Sequence, residues 1–202
     1  MKYIIFAIIA LAIQGCSTFP AATIPILPTL KPIPVTPSST KKLYFSAASS
    51  KLDHTSIGQM KVGTVCMNER ELKWGNYPKY NDEFREKIKE AFVKNHYNIS
   101  NDNFELKNQQ EAEILLGARV TKVIANICSS RDGTKGVSVV YVDWETYNKY
   151  TKESIVIKSS GKGYIPEFSR TGYLDLYSNA VADAAENLMA NEEFHKIIKS
   201  ND

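Results

Sequence analysis

The sequence lacks the features that mark membrane-spanning and disordered proteins. Its longest apolar run, residues 3–13, falls well short of a membrane-spanning helix, which takes about 20 residues. A polytopic membrane protein is therefore excluded. Hydrophobic residues make up 43% of the chain and charged residues 23%, which is too apolar for intrinsic disorder over most of its length. The 202 residues predict one folded domain.

An excess of basic charge is also missing. The chain carries 25 Lys and Arg against 22 Asp and Glu, but Lys2, Lys31 and Lys41 all precede the first acidic residue, Asp53. From Lys42 onward the two signs therefore balance at 22 each. This balance argues against a basic domain that binds the phosphates of a nucleic acid.

Motifs of known catalytic chemistry are scarce. None of the three histidines, His54, His96 and His195, adjoins a Gly-x-Ser-x-Gly elbow, so surface positions are expected for them. No Cys and His pair has metal-ligand spacing. Residues 160–163 (Ser-Gly-Lys-Gly) lack the other residues of a phosphate-binding loop and are expected to form a flexible strand end. We expect a protein that is not an enzyme and has no metal or cofactor, although carboxylates distant in sequence could still meet in space.

The amino terminus has the form of an export signal. Lys2 precedes the apolar run, and the segment 13–16 (Ile-Gln-Gly-Cys) resembles the bacterial lipobox, in which Cys16 receives a diacylglycerol and acyl chains such as palmitate. Gln14 is less typical of that motif, and the alternative is an ordinary signal peptide with a chance cysteine. The resemblance implies a signal peptide over residues 1–15. Because Ser17 follows the cysteine, it also implies a lipid anchor on the periplasmic face of the outer membrane.

Proline is concentrated in one segment. Six of the eight prolines fall within residues 17–41, where neither a helix nor a central strand can form. Residues 16–41 are therefore interpreted as the lipidated cysteine and an extended tether, which could reach about 75 Å. Its apolar residues, which include Ile24 and Leu27, leave open a second role in docking on a partner.

The remaining residues, 42–202, predict a single periplasmic domain. Residues 58–67 predict a first strand. Asn81 is the expected N-cap of an amphipathic helix that buries Phe84, Ile88 and Phe92.

The rest of this domain predicts three strands and a final helix. The alternation from Glu113 onward slips in phase, which indicates a bulge near Thr121 and Lys122. Asp132-Gly133 predicts a hairpin turn into a strand over residues 137–147, and a second hairpin leads to a strand over residues 154–160. A helix is expected over residues 175–198.

This order, β-α-β-β-β-α, predicts an α+β fold. It is a two-layer sandwich in which a mostly antiparallel sheet carries two helices on one face. Tyr141 and Tyr147 would lie on the other face, with Tyr150 or Tyr164 as further members. They are candidate partner-binding residues, and the alternative is that they only shield the sheet by cross-strand pairing.

The cysteines predict one disulfide. With Cys16 assigned to lipid, Cys66 and Cys128 remain, both near the carboxyl ends of strands predicted to be parallel neighbours. A disulfide persists in the periplasm. Two buried free thiols are the alternative.

A wider resemblance, to a group of lipoprotein domains, rests on three further features. These are a loop with Trp74, a helix start at Phe84-Arg85 and an Ala- and Leu-rich final helix over residues 180–188. Together with the lipobox, they make residues 58–198 similar to small periplasmic lipoprotein domains of outer-membrane assemblies. That group includes the curli-secretion-channel lipoproteins, the lipoprotein activators of penicillin-binding proteins and the amino-terminal domain of the Tol translocation protein. A closer similarity is to lipoprotein domains found before trypsin-like peptidases. No peptidase follows here, so no catalytic residue carries over.

This resemblance implies a binding role within the envelope. We expect an accessory or scaffold subunit of an envelope-spanning complex, such as the outer-membrane core of a secretion system. Its partners would be the outer membrane, through the acyl chains, and other envelope proteins, without nucleic acid. The alternatives are a regulator of a cell-wall enzyme and a carrier with a small-ligand pocket between sheet and helices.

Overall fold

A mixed six-stranded sheet forms one layer of the protein, and helices packed on one of its faces form the other. The computed structural model describes residues 20–50, 52, 54–75, 78–100 and 105–199. The predicted signal peptide and Cys16 lie outside these residues. The strands are β1 Leu43–Ser50, β2 Ser56–Val62, β3 Asn68–Lys73, β4 Ile114–Ser130, β5 Gly133–Asn148 and β6 Ser154–Ser169. The helices are α1 Pro78–Lys94, α2 Glu105–Glu111, α3 Gly172–Met189 and α4 Glu192–Ile198, and a 3-10 turn covers Pro37–Ser39.

Strand β4 organises the sheet. Its first half pairs with β1 and its second half with β2, both in parallel. Strands β4, β5 and β6 form an antiparallel meander on one side, and β3 pairs antiparallel with β2 on the other. The predicted α+β class, a mostly antiparallel sheet with helices on one face, is confirmed.

The amino-terminal half of the sheet differs from the prediction. The single strand expected over residues 58–67 is a hairpin, in which β2 and β3 flank the turn at residues 63–67. Strand β1 was not expected, because the register shift between Phe45 and Ala47 breaks its alternation of apolar residues. The short helix α2 was not expected either.

Both predicted helices also need correction. Helix α1 begins at Pro78, a residue favoured at the first helical position, so Asn81 lies inside the helix and is not its N-cap. The final helix is two helices, because the chain leaves helical geometry at Asn191. The side chain of Asn191 caps α4 by accepting hydrogen bonds from the amides of Glu193, at 2.8 Å, and Phe194, at 3.2 Å.

The meander follows the prediction closely. The bulge lies between Val120 and Lys122, and Asp132 is in the turn between β4 and β5. Strand β6, however, extends to Ser169. Residues 160–163 therefore lie in mid-strand and are not a flexible strand end.

The core lies between the sheet and helices α1 and α3. Phe84, Ile88 and Phe92 on α1 are fully buried, as predicted, and so are Leu176 and Tyr177 on α3. Side chains of α3 also cover the outer edge of β6: Asp183 accepts a hydrogen bond from the amide of Lys162 at 2.7 Å, and Asn187 donates one to the carbonyl of Ser160 at 2.7 Å. Such cover protects an edge strand from pairing with other chains.

Residues 20–40, called the strap here, lie against the domain. The strap contains no strand or helix other than the 3-10 turn, as its prolines predict. Its first part is hydrogen-bonded to Asn126, and further on the amide of Ile33 donates to the carbonyl of Met189 at 3.0 Å. The long reach expected of an extended tether therefore does not apply to this segment.

Candidate functional site: the open face of the sheet

The face of the sheet opposite α1 and α3, called the open face here, carries the predicted partner-binding residues. Along β5, Val140, Val142 and Trp144 are buried toward the helices. Because side chains alternate along a strand, Tyr141 and Tyr147 point to the open face. Both are half-buried, and no helix of the described ranges packs over them.

Tyr141 lies at the bulge in β4. It is paired with Lys122 on β4 and Ser160 on β6. The Lys122 ammonium nitrogen lies 5.4 Å from the centre of the Tyr141 ring, within the range of a cation-π contact. The hydroxyl of Thr121 donates a hydrogen bond to the carbonyl of Tyr141 at 3.3 Å. The cation-π contact places the Tyr141 ring beside Lys122, and the Thr121 hydrogen bond holds the backbone at the bulge.

The predicted tyrosines do not form one continuous row. Tyr147 is six residues further along β5 than Tyr141, a distance of about 20 Å at strand rise. Tyr150 is 75% exposed in the turn after β5. Tyr164, 63% exposed, is paired with Val137, on the other side of Tyr141 from Tyr147.

A groove of 310 Å³ lies between the two tyrosines. Small residues of β1 and β4, Ala47 and Gly117, contribute to its floor. Arg119 and Asp143 form an ion pair at 3.3 Å on its wall, and Glu145 lies beside them. The charged side chains in the groove sum to one negative charge. Sequence patterns did not reveal this groove, because β1 itself was not predicted.

The strap crosses one part of the open face. Its Ala22 is hydrogen-bonded to the side chain of Asn126 on β4, and further on Pro28 and Leu30 lie at the β6 edge, in one shallow cavity with Ser160 and Ala190. Val139, on the open face, is fully buried, whereas Tyr141, two residues further along, is only half-buried. Two cavities, of 520 and 280 Å³, are lined partly by the strap; neither includes Tyr141 or Tyr147, and neither shares a lining residue with the groove.

Cys66 and Cys128 form a disulfide, with a distance of 5.6 Å between their Cα atoms. Cys66 lies in the turn after β2, and Cys128 lies near the end of β4, which runs parallel to β2. This is the arrangement predicted for the pair.

The histidines do not meet a nucleophile. His54 and His96 lie at turns in left-handed backbone geometry. His195 is half-buried, with Nε2 2.9 Å from the Tyr97 hydroxyl and 2.8 Å from the carbonyl oxygen of Met189. Burial raises the pKa of the Tyr97 hydroxyl. This cluster joins α4, the end of α3 and the strap, so His195 is not the simple surface residue expected from the sequence.

In the described part of the chain, no group of three or more His, Cys, Asp or Glu side chains could hold a metal ion. None of its helices combines the length and the apolar character that crossing a membrane requires.

Comparison with solved structures finds distant likenesses. Protein XCC0632 of Xanthomonas campestris, described by the family model DUF330, is 9% identical with a TM-score of 0.45; the match covers 80% of this chain and 88% of that one. The PelC dodecamer of Paraburkholderia phytofirmans is 16% identical with a TM-score of 0.37, over 79% and 92% of the two chains. A candidate lipoprotein of Caulobacter crescentus is 11% identical with a TM-score of 0.33, over 68% and 88%. No protein-family model and no curated protein matches the sequence.

Proposed function

We propose that this protein is a non-enzymatic lipoprotein, anchored through Cys16 to the periplasmic face of the outer membrane, and an accessory or scaffold subunit of an envelope-spanning protein complex. The outer-membrane core of a secretion system is the kind of complex that fits. The observation that carries the proposal is the open face, where half-buried Tyr141 and Tyr147 flank a groove that none of the described helices covers. Tyrosine is enriched among the residues that dominate binding energy at protein interfaces.

The groove indicates the chemistry of the partner segment. Its Arg119–Asp143 ion pair and Glu145 leave one net negative charge between two aromatic rings. A partner segment with one basic side chain would complement that charge, and its apolar neighbours would contact the rings. Charge complementarity of this kind contributes mainly to specificity and to the rate of association.

The experiment is a crosslinking pull-down from intact cells, with the full lipidated chain tagged after Asp202. Recovery of a stoichiometric set of envelope proteins is expected, and it should be lost in the double variant Tyr141→Ser and Tyr147→Ser. Tyr150→Ser is the matched control, because Tyr150 is exposed in a turn outside the groove. Equal recovery from the double variant and the control contradicts the proposal. A large fall in melting temperature of the double variant would assign the tyrosines to the fold instead.

The two alternatives find less support in the geometry. A regulator that reaches through the periplasm to a cell-wall enzyme needs a long free tether, but the strap is hydrogen-bonded to the domain from Ala22 onward. Recovery of a single cell-wall enzyme in the pull-down would nevertheless favour it. A small-ligand carrier was expected to have a pocket between sheet and helices. The cavity of 520 Å³ in this structure lies instead between the strap and strands β2 and β4.

A further inference from the structure

Three lysine side chains surround Tyr141 on the open face. Tyr141 is paired with Lys122 on β4 and with Ser160 on β6, and paired residues of neighbouring strands point to the same side of a sheet. Lys158 and Lys162, two residues before and after Ser160 on β6, therefore also point to the open face. We call Lys122, Lys158 and Lys162 the basic centre.

Neighbouring carboxylates offset only part of the charge of the basic centre. In the described part of the chain, no ion pair involves any of its three ammonium groups. Asp143, which is paired across the sheet with Lys158, forms its ion pair with Arg119. Asp183 accepts a hydrogen bond from the amide of Lys162 and offsets part of that lysine's charge. With the third lysine, these side chains carry four positive and two negative charges, so two positive charges remain.

The strap passes beside the basic centre without neutralising it. Pro28 and Leu30 line one shallow cavity with Lys158 and Ser160. Residues 20–41 contain no Asp or Glu, because Asp53 is the first acidic residue of the chain. The strap therefore adds no carboxylate to this part of the open face.

Acidic side chains lie on the open face at both ends of the basic centre. Glu145, in the groove, is four residues along β5 from Tyr141, or about 13 Å at strand rise. In the other direction, Glu71 shares a sheet row with Asn126, which is four residues along β4 from Lys122. A long polyanion or an anionic membrane surface would meet these carboxylates as well as the lysines. A polypeptide can instead present both signs of charge, so it is the ligand that this pattern favours.

We propose that the basic centre binds an acidic side chain of the same partner segment whose basic side chain lies against Glu145. This inference rests on the proposed function and specifies the partner of that site. The segment carries an Asp or Glu and a Lys or Arg about 13 Å apart, which is four residues in an extended chain. The two charges determine which part of the segment lies at Tyr141 and which lies in the groove, because the reverse placement brings like charges together.

The test is crosslinking with a water-soluble carbodiimide, which joins a lysine amine to a carboxylate only where the two are in contact. The full lipidated chain, tagged after Asp202, is crosslinked in opened cells, recovered through the tag and digested for mass spectrometry. We expect at least one lysine of the basic centre to be joined to an Asp or Glu of a partner. A basic residue of the same partner should lie about four positions from that Asp or Glu.

Charge variants test whether the lysines contribute to binding. The double variant Lys122→Glu and Lys158→Glu should lower recovery of the partner in the pull-down about tenfold, because it places like charges together. The double variant Lys122→Arg and Lys158→Arg keeps the charge, so it should keep the recovery. The matched control is Lys152→Glu with Lys196→Glu, which makes the same change of net charge at two exposed positions outside the open face. An unchanged melting temperature shows that each variant is folded.

The outcomes distinguish this inference from the proposed function. If the parent chain recovers no envelope protein, both fail. If partners are recovered but the basic centre is not joined to their carboxylates, or if the variant with two glutamates recovers as much as the control, this inference is refuted and the proposed function stands. The Cys16→Ser chain is also mixed with phosphatidylglycerol vesicles. Binding that is lost on adding Lys122→Glu and Lys158→Glu would assign the basic centre to a membrane surface and overturn the inference.

Discussion

Replacing Gly161 by alanine tests how closely α3 packs on β6. Gly161 is in mid-strand and faces α3, and a Cβ atom there would lie 2.1 Å from the amide nitrogen of Ala184 and 2.2 Å from the carbonyl oxygen of Ala180. Ordinary contact begins at 3.4 Å, so α3 would have to move by about 1 Å. Both neighbours are backbone atoms and cannot rotate away.

We expect Gly161→Ala to lower the free energy of unfolding by a large amount, because α3 contributes many of the buried core side chains. Overpacking typically costs about 1–3 kcal/mol, and we expect the upper end, about 3 kcal/mol, since Leu176 and Tyr177 on the same helix are fully buried. A loss of this size lowers the melting temperature of a domain of this length by about 6–12 °C.

The assay is urea and thermal unfolding followed by near-ultraviolet circular dichroism. Gly117→Ala is the matched control: it is also a strand glycine, but its added Cβ would have no atom closer than 4.0 Å, the carbonyl oxygen of Ala47. Its stability should change by less than about 0.5 kcal/mol. If Gly161→Ala is as stable as Gly117→Ala, the close packing of α3 on β6 is wrong.

Three further predictions concern the disulfide, the strap and the edge of β6. The double variant Cys66→Ser and Cys128→Ser should lose about 4 kcal/mol of unfolding free energy in urea, because the disulfide closes a loop with a sequence separation of 62 and so restricts the unfolded chain. A loss under about 1 kcal/mol would contradict this reasoning from chain entropy. Tyr97→Phe should lower the free energy of unfolding by about 1–2 kcal/mol and speed hydrogen exchange at the Ile33 amide, since the Tyr97 hydroxyl lies 3.3 Å from the Ile33 carbonyl oxygen. Unchanged exchange at Ile33 would show that the strap is held without this hydroxyl. Burial raises the folded-state pKa of Asp183, so the folded state binds more protons, and stability should fall as pH rises from about 4 through that pKa. Asp183→Asn keeps an acceptor oxygen and should flatten the pH profile of the urea midpoint, whereas an unaltered profile would refute this assignment.

Features that depend on neighbouring residues could be predicted from the sequence. The phase slip after Val120 placed the bulge, because side chains alternate strictly along a strand. Asp132-Gly133 placed the hairpin between β4 and β5, because glycine adopts the positive φ that such a turn needs. The cysteine pair followed from assigning Cys16 to lipid and from the parallel order of β2 and β4.

Features that depend on contacts between distant segments could not. Strand β1 forms because its backbone pairs with β4, about 70 residues away, although its own pattern is irregular. The strap was interpreted as a free tether because proline excludes helix and strand. Proline does not prevent Ala22 from bonding to Asn126, and no local pattern marks such a contact.

The candidate site shows the same division. Alternation along β5 alone determined that Tyr141 and Tyr147 share one face of the sheet, because side chains two residues apart point the same way. Only the tertiary structure decided what lies between and around them, since the groove needs β1 beside β4 and the position of the strap needs Asn126 beside Ala22. Local sequence patterns specify secondary structure and the faces of its elements, whereas pairing between distant segments determines which of those faces remain uncovered.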